Sequence, residues 1–551
     1  MSHSSGGEEY QKAILDQIPR VLSRMDRDPY SPTAGSCDRT FWAWKFTDFP
    51  GARFQEAVCV LSFVYATEFD GNTYYRNPNL LRWIHTALKY WSSIQYRDGS
   101  FDEAYPFERS LAATAFTTFY VSEAVAFLGN DLSEEVAKSV RESIRRAGDW
   151  LTKNDETHGF LSNHLAAAAT ALYHAFLQTG ESRFRERSGY FLNRILRHQS
   201  SEGWYEEYGG ADPGYQTHGT FYLARLFELD PQASLKESLG RAIEFQALFI
   251  HPDRSLGGEY TSRNTQTYYP AAFEMLADKL PAAAWIAQTM RPVVSGASAA
   301  GIRGIDAYNL FPILNNLVFA FRAYRTPGRA VPQPQEPAAG DVVWLRQAGI
   351  GRFQRESYVA YVGASKGGVM KVFDRRSRRL VYSDCGYLGR QRDGKPVATQ
   401  HFDPNRSADV DSEKVSLKSS VVRISRPVMN PWMFLGFRIF SLTVGQSAAF
   451  ARWLKQILVN VLIYRKQSVG VEMHRTIEFQ DNRIVVRDRF DGPGLGNLND
   501  LRWAPSFTTI HMGSSRYFVE HELNNLGFEQ EQGEPADFSS GRVIERTVQF
   551  N

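Results

Sequence analysis

ETHGFLSNHLAAAATALYHAF, residues 156–176, reads as a turn that runs straight into a helix. The turn is rich in Gly, Ser and Asn and ends in Asn163-His164. The residues that follow are apolar and alanine-rich, so the helix they form can pack closely against its neighbours. Ser162 or Asn163 can cap it, because a short polar side chain accepts from the free N–H groups of a first helical turn. The side chains of Asn163 and His164 then sit at the positive end of the helix dipole, a natural place to hold an anion such as a carboxylate. A capped core helix with a polar start is the plainer alternative. Recurrence of the same pattern along the chain favours the functional one.

Loops rich in Gly, Asp and aromatic residues, each followed by an apolar helix, recur at residues 48–57, 98–110, 157–164, 202–219, 256–269 and 303–310. Second helices, such as 134–153 and 181–198, lie between them, so each unit is a helical hairpin. Six hairpins at a regular period predict a closed array, an (α/α) toroid over residues 1–325, rather than an open solenoid. Its inner helices would present their preceding loops to one face. Upstream, residues 9–25 predict one helix with Ile14, Ile18, Val21 and Leu22 on a single side, and residues 1–8 read as disordered.

TPGRAVPQPQEPAAGD, residues 326–341, breaks the pattern, and 326–340 reads as an interdomain linker. Beyond it the apolar period shifts from 3.6 to 2, at 357–364, 368–374, 379–384, 415–425 and 470–490. The last of these predicts a hairpin turning at Asp481-Asn482. Residues 341–551 are therefore expected to form an antiparallel β-sandwich, making the chain multidomain, α then β. Residues 431–466 do not alternate; they are apolar, aromatic and basic. They predict either a helical insertion packed on the sandwich or an interfacial helix pair at a membrane, with Arg438, Arg452, Lys455, Arg465 and Lys466 facing headgroups. Charges interrupt the apolar run, which disfavours a transmembrane span.

The 551 residues are 43% hydrophobic with a net charge of +3, ordinary for a soluble globular chain and without a strong footprint for nucleic acid. No dense Lys/Arg block is read. The three cysteines, Cys37, Cys59 and Cys385, form no CxxC pair, which argues against a disulfide framework or a zinc finger. No basic n-region precedes an apolar run at the N-terminus, so a cytoplasmic, membrane-associated placement is expected. No cofactor and no metal is expected.

The loops converging on the shared face carry Trp42, Trp44, Lys45 and Arg53; Asp102, Glu103, Tyr105, Glu108 and Arg109; Asn163 and His164; Trp204, Tyr205, Glu206, Glu207, Tyr208, Tyr215 and His218; Glu259, Tyr260, Arg263, Asn264 and Tyr268; and Arg303, Asp306 and Tyr308. Flat aromatics beside Arg, Asn and carboxylates suit a sugar chain, since rings cover C–H faces and polar groups bind hydroxyls. From these, Trp42, Trp44, Lys45, Glu108, Trp204, Glu207, His218, Tyr260, Arg263 and Arg303 are the expected substrate contacts.

The Asn163-His164 pair opening an inner helix, and the later EGWYEEY…GY segment, resemble the heparinase II/III-like and alginate-lyase-like polysaccharide lyases, as does the order of toroid, Pro-rich linker and sandwich. The resemblance places Tyr215 in the catalytic tyrosine position and implies β-elimination at a uronic acid in an acidic polysaccharide. The substrate carboxylate must be neutralised, by Asn163 with Arg109, so that the C5 proton can leave. His164 and Tyr215 are the candidates for base and acid. A tyrosine base needs positive neighbours, for which His218 or Arg109 would serve. The relatives' sandwich histidine has no counterpart in 365–374, which contains none; His401 is the substitute, and Lys366 and Lys371 could meet an acidic substrate. Two alternatives stand beside this reading: a glycoside hydrolase pairing Glu108 with Glu207 or Asp306, and a non-catalytic glycan-binding or assembly protein.

Overall fold

The computed structural model describes residues 6–156, 159–296, 300–325, 337–424, 428–447, 450, 453–454, 466–509 and 543–550. Residues 326–336 of the expected linker, and Arg452, Lys455 and Arg465, lie outside the described residues. Helices occupy the chain up to Ala323, and antiparallel strands dominate from Val342 onward.

The chain opens with α1 (Gly6–Leu15) and α2 (Ile18–Arg24), two helices where one was predicted. Pro19 enters within the first turn of α2, where a proline fits but cannot continue an earlier helix. Residues 6–8, expected to be disordered, already belong to α1. There follow α3 (Ala57–Ala66), α4 (Pro78–Ser93), α5 (Leu111–Leu128), α6 (Glu134–Lys153), α7 (Ser162–Thr179), α8 (Ser182–His198), α9 (Pro213–Leu229), α10 (Ala233–Ala247), α11 (Ala271–Met275), α12 (Pro281–Met290) and α13 (Leu310–Ala323).

Two kinds of helix alternate. Those of the first kind, α3, α5, α7, α9, α11 and α13, are buried almost all round; each packs on the next, and α13 packs back on α3. Those of the second kind bury one stripe only. In α6 the buried residues Val136, Val140, Ile144, Ala147 and Leu151 recur at three- and four-residue spacing. Among the described residues one helix, starting at Leu111, is long and apolar enough to cross a membrane, and it is a core helix, mostly buried.

The strands form two sheets. The first orders β1 (Val342–Leu345), β2 (Ile350–Gln354), β3 (Tyr358–Gly363), β4 (Val369–Asp374) and β5 (Leu380–Asp384) side by side. The second contains β6 (Tyr387–Gln391), β7 (Pro396–Ala398), β8 (Ala408–Val410), β9 (Lys414–Arg423), β10 (Ser468–Gln480), β11 (Arg483–Asp491), β12 (Leu498–Trp503) and β13 (Val543–Gln549). The β10–β11 hairpin turns at Asp481-Asn482 as predicted, with Gln480 paired to Arg483. Phe353 of the first sheet stacks on Phe479 of the second, ring centroids 3.9 Å apart. The opposite face of the first sheet packs on the helices through Val359, Tyr361 and Phe373. That is why β3 is buried at every position: expected to alternate, it is covered on both sides and reads as a continuous apolar run.

Helix α14 (Pro431–Leu442) lies within the segment that did not alternate. It is anchored on the loops of the first two helical units: Arg438 pairs with Asp48 at 2.9 Å, and Phe437 meets the Tyr105 ring edge-on. Arg438 therefore does not face outward as expected. Lys466 is exposed, with its ammonium 5.9 Å from the Phe402 ring.

Candidate active site

Helices α7 and α9 meet near their first turns. A Cβ added at Gly219 would lie 3.4 Å from the Asn163 Cα, so glycine is what lets the two backbones approach. Tyr215 sits one turn before Gly219 on α9, and His218 immediately before it. The close crossing thus brings Asn163, His164, Tyr215 and His218 to one end of the helix pair.

The start of α7 is not capped by Ser162 or Asn163. The Ser162 hydroxyl donates to the Glu206 carbonyl at 2.7 Å, and the Asn163 side-chain oxygen accepts from the His164 N–H at 2.8 Å. The cap is Glu207, whose Oε1 accepts from the Asn163 backbone N–H at 2.9 Å. An internal carboxylate occupies the end of the dipole where a substrate anion was expected. Burial pushes the Glu207 pKa well up, with Asp212 adding to it and the Asn163 N–H opposing it. Glu207 therefore ties the 202–210 loop to α7 rather than binding substrate. The Asn163 amide nitrogen makes no hydrogen bond among the described residues and remains a donor.

His164 is half-buried, and its Nδ1 lies 2.7 Å from Glu156 Oε2. A carboxylate there holds the proton on Nδ1 and leaves Nε2 as the basic nitrogen. Phe116 fixes the ring from the side, edge to face at 5.6 Å, and stacks on His218 at 5.5 Å. His218 lies between Phe116 and Tyr269, with its Nε2 3.0 Å from the Tyr222 hydroxyl. Burial, then Arg53 and His164, hold its pKa well below the usual histidine value, so it is neutral. It cannot supply the positive charge expected of it.

Arg53, named on the first loop without a role, puts positive charge beside His218 and Tyr269. Its guanidinium lies 4.3 Å from the centre of the Phe116 ring and pairs with Glu56 and with Glu103. Arg109, the expected partner of Asn163, is turned the other way and pairs with Asp98 at 3.2 Å. Burial raises the pKa values of Tyr208 and Tyr269, and Tyr215 lies close enough to add to both. The Arg263 guanidinium covers the Tyr208 ring at 4.0 Å, which places this expected residue at the same group.

The β region supplies the opposite wall. Phe402 packs on Gly210, where any Cβ would collide with its ring. Beside it lie Lys366, Arg406 and Lys466. The Lys366 ammonium donates to Asn264 Oδ1 at 3.0 Å, and its pKa is pushed down to about 7 by burial, then by Lys466 and Arg263. Lys466 is pushed down to about 8 and Arg406 to about 10, burial leading in both. Lys366, fully buried, stands beside a half-buried Arg406 and an exposed Lys466, a cluster of cations that suits an anion. His401, expected to reach the cleft, accepts instead from Arg406 Nη2, 2.7 Å from its Nε2; burial and that guanidinium lower its pKa to about 2. It positions Arg406 and has no lone pair to spare there.

Several other expected contacts belong to packing. The Trp42 ring N–H donates to the Arg24 carbonyl, and the Trp204 ring N–H donates to Glu202. Tyr260 is fully buried, with its hydroxyl 2.8 Å from His251 Nε2. Glu108 closes its own loop by accepting from the Glu103 and Ala104 N–H groups. Arg303 is exposed and lies 3.8 Å from Asp16. Trp44 and Lys45 are exposed at the end of the first loop. Lys371 pairs with Glu259 at 2.7 Å. The residues missed, Glu156 and Arg406, lacked a local motif, although Glu156, eight positions before His164, stood in the decisive stretch; Arg53 and Tyr208 were named on the converging loops without a role, and Lys466 was expected at headgroups.

Residues 51–269 match the family model described as the ulvan lyase N-terminal domain. Among solved structures, a Paenibacillus xanthan lyase matches with a TM-score of 0.55 at 10% identity, over 91% of this chain and 47% of that one. A Streptomyces coelicolor A3 chondroitin AC lyase, in complex with chondroitin sulphate, matches with a TM-score of 0.52 at 12% identity, over 88% of this chain and 65% of that one. A heparinase III matches with a TM-score of 0.50 at 10% identity, over 89% and 71%. At these identities the likeness is one of fold. The chain spans 47% of the xanthan lyase and 65% of the chondroitin lyase, less than two thirds of either. No curated protein sequence matches it. The resemblance to polysaccharide lyases holds in both the family model and the fold.

Proposed function

We propose that this protein is a polysaccharide lyase that cleaves a uronic-acid-containing glycan by β-elimination. The observation that carries the reading is the Glu156–His164 pair, set beside the free amide of Asn163 and the first turn of α9 with Tyr215. The cations of the cleft would bind the sugar carboxylate, and Asn163 would donate to it. Charge building up as the C5 proton leaves is then spread into that network. His164 Nε2 takes the C5 proton, and the Tyr215 hydroxyl gives one to the leaving O4. Electrons from the C5–H bond form the C4–C5 double bond as the C4–O4 bond breaks.

The ring of packed helices supports a closed (α/α) toroid over residues 1–325 as the catalytic domain. Residues 341–551, joined to it by 326–340, would form a β-sandwich that completes the cleft.

Hydrolysis is the weaker reading. Its three carboxylates are engaged by backbone N–H groups: Glu108 by Glu103 and Ala104, Glu207 by Asn163, and Asp306 by Tyr308 and Asn309. The deciding experiment is incubation with a panel of uronate polysaccharides, reading near-ultraviolet absorbance. Elimination yields a conjugated double bond, lost in Tyr215→Phe and kept in Glu108→Gln. New reducing ends without absorbance would mean hydrolysis.

We also propose that α14 makes a peripheral membrane contact. Trp432, Met433, Phe434, Leu435, Ile439 and Leu442 are all about half or more exposed, and only Ser441 of this helix is buried. Such an apolar face is unusual on a soluble surface.

A further inference from the structure

A cavity of about 600 Å³ opens between the helices and the first sheet, lined by none of Asn163, His164, Tyr215 or Lys366. Trp285 of α12 forms part of its helical wall. Arg352 and Tyr361, cross-strand partners on β2 and β3, form part of its sheet wall. Arg254, Arg375 and Arg378 complete the basic lining, and Glu244 is the one carboxylate there.

Arg254, Arg352 and Arg378 form no ion pair among the described residues, and the Arg352 Nε is buried without a hydrogen-bond partner. Arg375 is held at the rim by the Arg355 and Glu356 carbonyls at 3.1 and 3.3 Å. His251 adds no charge, because burial, then Lys371 and Arg352, keep its pKa well below the usual value. The hairpin tip beside the cavity reads DRRSRRL, residues 374–380, a basic block that the sequence reading overlooked.

Guanidinium forks match carboxylate and sulfate geometry in pairs, and a partly buried indole offers its face to sugar C–H groups. The volume falls in the range of ordinary ligand sites. We propose that this cavity is a second, non-catalytic binding site for an acidic oligosaccharide, one that holds the polymer while the cleft cuts it. The choice of a glycan over another polyanion rests on the lyase reading. Holding the chain at two points raises its effective concentration at the cleft.

The test is calorimetric titration of chondroitin sulphate hexasaccharide into His164→Ala protein, with and without Arg352→Gln and Arg378→Gln together. A (dT)12 oligonucleotide serves as a second titrant. At least a tenfold loss of hexasaccharide affinity at one site is expected in the arginine variant. The exposed Arg378→Gln change alone, at an unchanged melting temperature, should cost about threefold. Identical hexasaccharide isotherms, no binding at all, or tighter arginine-dependent binding of the oligonucleotide would overturn the proposal. Arginine-dependent glycan binding, with no ultraviolet-absorbing product from the wild-type protein on the uronate panel, would sink the lyase reading and leave this site standing.

Discussion

Glu156 and His164, eight residues apart across a turn, meet at 2.7 Å between Oε2 and Nδ1, and the first turn of α7 holds the imidazole there. A carboxylate that fixes the tautomer matters only if the other ring nitrogen does chemistry. Glu156→Gln keeps the shape but no longer favours the Nδ1 proton. It should lower kcat about a hundredfold, within the range for acid–base groups, with KM little changed. Equal falls in kcat for Glu156→Gln and His164→Ala would support a shared role. A wild-type kcat in Glu156→Gln would reduce the pair to packing.

Gly219 allows α9 to approach Asn163, so this crossing sets the distance between the two halves of the site. Gly219→Val places methyl groups beyond a Cβ that already lies 3.4 Å from the Asn163 Cα. Overpacking of this kind costs about 1–3 kcal/mol. The melting temperature should fall modestly while activity falls far more, because Tyr215 moves relative to His164. Activity that tracks stability alone would show that the crossing does not set the site.

The sequence displayed α4, α6 and α8 because each is long and strongly periodic, and the loops because Gly and Asp mark them. It displayed Asn163-His164 because a helix start is a local feature. It could not display partners chosen by the folded chain. Arg109 and Arg53 look alike in sequence, yet one turns to Asp98 and the other to Phe116 and Glu103. Glu207 looks like a catalytic carboxylate until Asn163 N–H claims it. The anion wall of Lys366, Arg406 and Lys466 is assembled from residues up to about 100 positions apart, which no periodicity reveals. β3 hid its role differently: covered on both faces, it lost the alternation that identifies a half-exposed strand.

Helix α14 predicts a lipid-dependent distribution. Trp432→Ser with Phe434→Ser removes two exposed apolar side chains while leaving Arg438 on Asp48. Wild-type protein should pellet with anionic lipid vesicles, and the double variant should pellet several-fold less at unchanged melting temperature. Equal recovery of both in the supernatant would remove the membrane contact from the proposal.

Lys366 predicts how the cleft responds to pH. Its pKa is about 7 in the folded protein against an ordinary 10.5, because burial and its cationic neighbours disfavour the charged form. The unfolded chain therefore holds this proton more tightly. The resulting penalty on folding is fully present below pH 7 and fades as pH rises from about 7 towards 10.5. Attraction for an anionic sugar runs the opposite way, since it needs the ammonium and is lost as pH rises through 7. KM for an acidic glycan should climb several-fold between pH 6 and 8, with a smaller change in kcat. Lys366→Met should flatten that climb and, by removing a buried charge, melt higher than wild type at pH 6 with a narrower gap at pH 9. A Lys366→Met enzyme that keeps the wild-type KM profile would show that substrate never reaches this wall of the cleft.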